Sequence, residues 1–146
     1  MPVLDTEILF ALNPKDRLHS QALRLLAELR QEGLRVYAPD TSILEFQVVL
    51  RSLDKSPLVI RKAILGLRRA LEINGVTEAS TLDSELIARQ CEIEERHGLT
   101  FFDSFIAAST LRLDSVIISD DRSFDRLLGI TRKELSLKAR GTNSSM

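Results

Sequence analysis

The sequence predicts an α/β fold of three layers, a central and mostly parallel twisted sheet with helices on both faces. Short apolar stretches of strand length, PVLDT at 2–6, RVYAP at 35–39 and VIIS at 116–119, are separated by segments with helical spacing. Buried strands alternating with helices pack as a parallel sheet between helical layers. The longer segments each carry a single apolar stripe, as in Ile60, Ile64, Leu67 and Leu71, the mark of a helix with one buried face. Finally, 146 residues that are 44% hydrophobic and 28% charged make one ordinary globular domain. It is expected over residues 1–137, with 138–146 as a disordered tail because ARGTNSSM has nothing to bury.

The elements follow in order. The strand at 2–6 leads into EILFALN, helical by the spacing of Ile8, Leu9 and Leu12, and Pro14 restarts the chain. From Asp16 to about Gln31, Leu18, Ala22, Leu25, Leu26 and Leu29 share a face, and Gly33 ends the helix. After the strand at 35–39, Asp40, Thr41 or Ser42 can cap a helix through ILEFQVVLRSL. Pro57 opens the next helix and Asn74-Gly75 closes it. Residues 80–97 read as one helix stopped by Gly98, FFDSFIAASTLRL as another, VIIS as a buried strand, RSFDRLL as a short helix and ITRKELSL as a last strand.

Composition excludes several functions. Lys and Arg number 20 against 21 Asp and Glu, so no global basic field draws the chain to nucleic acid, and any such affinity must be local. Cys91 is the single cysteine and the histidines are only His19 and His97, too few for a zinc tetrad or an internal disulfide. No apolar run reaches membrane-spanning length and the N-terminus lacks a signal-peptide pattern, so the expected location is cytoplasmic. No phosphate-cradling glycine loop and no nucleophile elbow is present.

What remains is acid. In parallel sheets ligands bind outside the carboxyl ends of the strands, and Asp5 ends the first strand while Asp121 closely follows VIIS. Asp103 heads an apolar helix and Glu45 lies one turn into the helix after the second strand, so four distant carboxylates can converge at one end of the sheet. Each alone reads more readily as a cap or a solvated acid, because caps are far commoner than catalytic acids. Together they repel, and must take up protons or a cation. Oxygen-only donors favour Mg²⁺ or Mn²⁺ over zinc, and such ions activate water and stabilise a leaving oxygen in phosphodiester hydrolysis.

VLDT with Asp5, ILEFQVVL with Glu45, LTFFDSFIAAS with Asp103, and ISDDRSF with Ser119, Asp121 and Phe124 together resemble the PIN-domain nucleases, and among them the VapC-type toxins of toxin–antitoxin pairs. The resemblance runs from residue 3 to about residue 131 and rests on the order of the pieces. It implies a PIN-like fold, a metal-dependent endoribonuclease, and a site of Asp5, Glu45, Asp103 and Asp121 supported by Ser119. In that reading Asp5, Asp103 and Asp121 hold Mg²⁺ or Mn²⁺, Glu45 anchors its waters or a second ion, and cleavage leaves a 5′-phosphate. It also implies a homodimer and a small antitoxin partner. Two positions depart from the pattern: Glu7 stands where the family commonly has Asn or Ser, a fifth carboxylate beside the site, and Ser123 replaces a second Asp in the last turn.

For the RNA substrate, Arg61, Lys62, Arg68 and Arg69 recur opposite the apolar stripe of their helix, and Arg122 follows Asp121. These are candidate phosphate contacts, and a solvated face explains the helical four equally well. Surplus apolar residues such as Val48, Val49, Leu50 and Leu53 suggest a homodimer surface. The competing functions are a PIN-like RNA-processing nuclease and a non-catalytic RNA- or protein-binding adaptor. A receiver domain is disfavoured because VIISDD has acids where a Lys is needed.

Overall fold

A computed structural model describes residues 1–135. Five parallel strands form one sheet in the order β3-β2-β1-β4-β5: β1 Val3–Leu4, β2 Val36–Pro39, β3 Val76–Ala79, β4 Val116–Ile118 and β5 Thr131–Lys133. Six helices connect them: α1 Thr6–Ala11, α2 His19–Gln31, α3 Asp40–Ser52, α4 Pro57–Ile73, α5 Ser84–His97 and α6 Phe101–Leu113. A 3-10 turn, Arg122–Arg126, links β4 to β5. The α/β class and the parallel sheet are as the sequence predicts.

Strand pleating divides the interior into two cores. Along β4, Ile118 faces the core built by α1, α2 and parts of α3 and α4, with Leu4, Leu26 and Leu71. Its neighbour Ile117 faces the opposite core, with Ile106, Phe124 and Leu86 from α5, α6 and the turn. Successive side chains point to opposite faces, so a central strand buried on both sides must be apolar at both positions.

The structure corrects several boundaries. β1 is shorter than 2–6, because Asp5 leaves the strand to cap α1. The second helix starts at His19 rather than Asp16, whose carboxylate accepts the Leu18 N–H in the preceding turn. The cap position of α3 falls on Pro39, which has no capping side chain, and Asp40, the first helical residue, accepts the Thr41 N–H (3.0 Å). The predicted helix over 80–97 starts at Ser84 with Asp83 as its cap, and β3 before it was not predicted at all. At the end of α5, Gly98 adopts φ 65°, the left-handed conformation that closes a helix at little cost for glycine. The predicted tail 138–146, and the end of the domain at 137, lie outside the described residues.

Candidate functional site

The carboxyl ends of the two central strands deliver the first residues. Asp5 is buried, 6% exposed, because its N–H still donates to the Ile118 carbonyl of β4 (3.1 Å). Its Oδ1 accepts the Thr6 N–H at the head of α1 (2.8 Å) and its Oδ2 accepts the Ser119 hydroxyl (2.6 Å). α3 is pinned over β1 by the Ser42 hydroxyl, which donates to the Leu4 carbonyl (2.8 Å). That contact brings Glu45 one turn later against Thr6, whose hydroxyl donates to Glu45 Oε1 (2.5 Å).

The remaining acids come from the other helical layer. Thr100 caps α6 by accepting the Asp103 N–H (3.3 Å), so Asp103 need not cap and its carboxyl is left for the site. Asp121 caps the 3-10 turn, its Oδ1 accepting the N–H (2.9 Å) and the hydroxyl (2.7 Å) of Ser123. The Ser123 hydroxyl also lies 3.4 Å from Asp103 Oδ2, spanning the two carboxyls. The Asp121 N–H donates to Ser119 Oγ (3.0 Å), which joins this pair to Asp5.

Among the described residues no ion pair reaches Asp5, Glu45, Asp103 or Asp121, and the electrostatics follow. Burial, with the charges of Glu7 and Asp103, pushes the Asp5 carboxyl up to about 7 against the hydrogen bonds from Ser119 and Thr6. Burial and then the charge of Asp121 push Asp103 up to about 6. Burial would raise Asp121 as well, but the Ser123 N–H and hydroxyl, with Asp103, hold it below the usual carboxylate range. Asp103 is therefore the member of this pair that releases its proton at the higher pH. Such crowding, relieved only by the more distant charge of Arg126 on Asp121, calls for protons or a cation.

The donor set fits a hard divalent ion, since every group is a carboxylate or hydroxyl oxygen. As the side chains stand, no three Asp, Glu, His or Cys groups among the described residues are gathered to ligate one ion directly. Mg²⁺ needs no such cage, because it commonly keeps several waters and takes one or two carboxylates. Asp103 and Asp121, bridged by the Ser123 hydroxyl, would supply that pair.

The other predicted residues divide. Ser119 joins Asp5 and Asp121, and Glu7 lies beside it, accepting the Asp120 N–H. Arg122 is exposed and sits 3.9 Å from Glu134. Arg61, Lys62, Arg68 and Arg69 are exposed on α4, where Arg68 pairs with Glu72 and Glu78 (3.7 and 4.0 Å). No hydrogen bond or ion pair among the described residues joins these four to the acids. Sequence reasoning missed Thr6, Thr100 and Arg132. Arg132 is mostly buried, donating to both oxygens of Asp125 (3.0 Å each), to the Ser119 carbonyl (3.2 Å) and to Glu134 (2.8 Å). Thr6 and Thr100 were visible as hydroxyls flanking the acids, whereas nothing in the sequence singles out Arg132.

The model of the PIN domain family matches residues 3–129, a span containing all four acids. This chain belongs to the PIN-domain family. Solved structures share the fold of this PIN domain at low identity. VapC20 of Mycobacterium tuberculosis, described as a sarcin-ricin loop cleaving toxin, has a TM-score of 0.64 at 18% identity over 86% of this chain and 93% of its own. A toxin–antitoxin complex from Klebsiella pneumoniae has 0.61 at 17%, over 90% and 96%. FitAcB from Neisseria gonorrhoeae has 0.61 at 19%, over 93% and 99%. No curated protein sequence matches the chain.

Proposed function

We propose that this PIN domain is a Mg²⁺- or Mn²⁺-dependent endoribonuclease, the toxin of a toxin–antitoxin pair, acting in the cytoplasm. One observation carries the reading: Asp5, Glu45, Asp103 and Asp121, from four distant segments, lie toward one end of the sheet, and among the described residues none of them is in an ion pair. Family membership supports a nuclease, and the toxin and toxin–antitoxin descriptions of similar structures support the biological role.

Asp103 and Asp121, with Asp5 and Glu45 behind them directly or through water, would hold the ion. When bound, the ion would lower the pKa of water and stabilise charge on the leaving oxygen. The protein's own groups do the rest. Ser123 keeps Asp121 ionised and in register with Asp103. Ser119 fixes Asp5, and Thr6 fixes Glu45 by donating to its carboxylate. An in-line attack by water on the phosphorus then yields a 5′-phosphate and a 3′-hydroxyl. Arg122 and the α4 cations remain the proposed backbone contacts.

For partners, an apolar groove of about 460 Å³ between α1, α3 and α4 is lined by Leu9, Phe10, Phe46, Leu50, Leu67 and Ile73. We assign it to an apolar segment of an antitoxin, as the description of a toxin–antitoxin complex for a similar fold supports. Leu44, Val48 and Leu53 of the α3 region and Leu58, Val59 and Leu65 of α4 stand exposed, a candidate homodimer face. Sedimentation of the purified chain is expected to give a dimer, and a monomer at high concentration would remove that element.

The function is tested by incubating purified protein with a pool of tRNA, rRNA and mRNA in Mg²⁺, Mn²⁺ or EDTA. Cleavage is expected with either metal and absent in EDTA. Intact RNA under every condition would favour the adaptor reading.

A further inference from the structure

Glu7 occupies a position whose contacts set it apart from the other acids. It lies in the first turn of α1, two residues beyond Asp5, and is half-buried. Its Oε1 accepts the backbone N–H of Asp120 and lies 3.2 Å from the Ser119 hydroxyl. That hydroxyl has one proton, and Asp5 Oδ2 is nearer at 2.6 Å. The Asp120 N–H is therefore the donor that holds Glu7.

The place of this contact matters. Ser119, Asp120 and Asp121 form the turn where β4 ends and the 3-10 helix begins. The next contacts of the turn run elsewhere: Asp120 Oδ1 accepts the Leu135 N–H (2.8 Å), and the Ser119 N–H donates to the Lys133 carbonyl (3.0 Å). Both tie it to β5 and the segment after it. Toward α1 the turn has two side-chain ties: Asp5 at the cap accepts the Ser119 hydroxyl (2.6 Å), and Glu7 in the first turn accepts the Asp120 N–H. An Asn or Ser in place of Glu7 has a shorter reach from the same helical position.

We propose that Glu7 is a positioning residue: its carboxylate clamps the 119–121 turn to α1, holding Ser119 and Asp121 in register with Asp5, and it is not a ligand of the ion. This rests on the metal-site reading above and specifies the job of one acid within it. The role requires an acceptor oxygen and no negative charge, so glutamine should serve where alanine cannot.

The test compares the full chain with Glu7→Gln and Glu7→Ala, by amide hydrogen exchange of the 119–121 segment in EDTA and by Mn²⁺ titration calorimetry. Glu7→Ala is expected to speed exchange of the Asp120 amide and to weaken Mn²⁺ by roughly 10-fold or more, as loss of a supporting contact around a metal typically does. Glu7→Gln should restore both to within about threefold of wild type. If Glu7→Gln weakens Mn²⁺ as much as Glu7→Ala while the Asp120 amide stays protected, Glu7 is a ligand and the proposal is wrong. Unchanged exchange in Glu7→Ala would also overturn it. A wild-type chain that binds no Mn²⁺ would count against the metal site, while the exchange data would still decide the clamp.

Discussion

Asp5 illustrates how a single position serves two purposes. The same carboxylate that caps α1 is drawn into the interior by the β1–β4 pairing, so the cap and the site are one structural event rather than rival readings. Burial has a thermodynamic consequence. Asp5 at about 7 and Asp103 at about 6 both lie above the ordinary 3.8, so between pH 4 and 7 the native chain binds more protons than the unfolded one. Their contribution is fully present below pH 4 and is lost as pH rises through 6 to 7. In EDTA, urea unfolding should therefore show a higher midpoint at pH 5 than at pH 8, and Asp5→Asn should flatten much of that difference. A midpoint that rises with pH by the same comparison would contradict the burial. The acids themselves were readable in the sequence because strand ends and helix heads locate them. Ser123 was read only as a missing Asp, although its hydroxyl spans Asp121 and Asp103, since a hydroxyl's partners depend on tertiary placement.

Among the elements, strands and helices with strong periodicity were legible and weak ones were not. β3 escaped because only Val76 of Val76–Ala79 is fully buried, leaving no alternation to detect at the sheet's edge. Its existence explains Asp40, read from sequence as a possible cap of α3. The Asp40 carboxylate, besides accepting the Thr41 N–H at the head of α3 (3.0 Å), accepts the Thr81 and Leu82 N–H groups and the Thr81 hydroxyl (2.9, 3.0 and 2.6 Å). It thereby closes the loop after β3, a pairing 41 residues apart in sequence that no local pattern announces. Beneath it, Ser109 of α6 lies within 2.8 Å of both the Thr41 and Thr81 hydroxyls. Asp40→Ala strands these donors, and removing the acceptor from partly buried groups costs about 1–3 kcal/mol. Denaturant unfolding should show that loss, with Mn²⁺ affinity nearly unchanged because Asp40 does not touch the four acids. Wild-type stability in Asp40→Ala would show that the loop is held otherwise.

At the scale of the molecule, two cores on either face of the sheet fix where the acids can be. Asp5 and Glu45 belong to elements of the first core, Asp103 and Asp121 to those of the second, and the site lies where the two meet above β1 and β4. That is why the order of motifs along the chain could carry the family while composition could not: the balanced charge says nothing of where along the chain the carboxylates stand. Of the residues read from sequence as a dimer surface, Val48 and Leu53 are exposed and Leu50 lines the groove against α1 and α4. No helix among the described residues is long and apolar enough to cross a membrane.

The proposed nuclease requires the four carboxylates to act as one hydrolytic site. It is tested most directly by cleavage of a single RNA in Mn²⁺ by the wild type and by Asp5→Asn, Glu45→Gln, Asp103→Asn and Asp121→Asn, with the ends of the products mapped. All four variants should lose about 100-fold or more of the activity, the scale of losing a group that stabilises charge in the transition state, and the wild type should leave 5′-phosphates. Full cleavage by the Asp103→Asn or Asp121→Asn variant, or a 2′,3′-cyclic phosphate in the product, would contradict it.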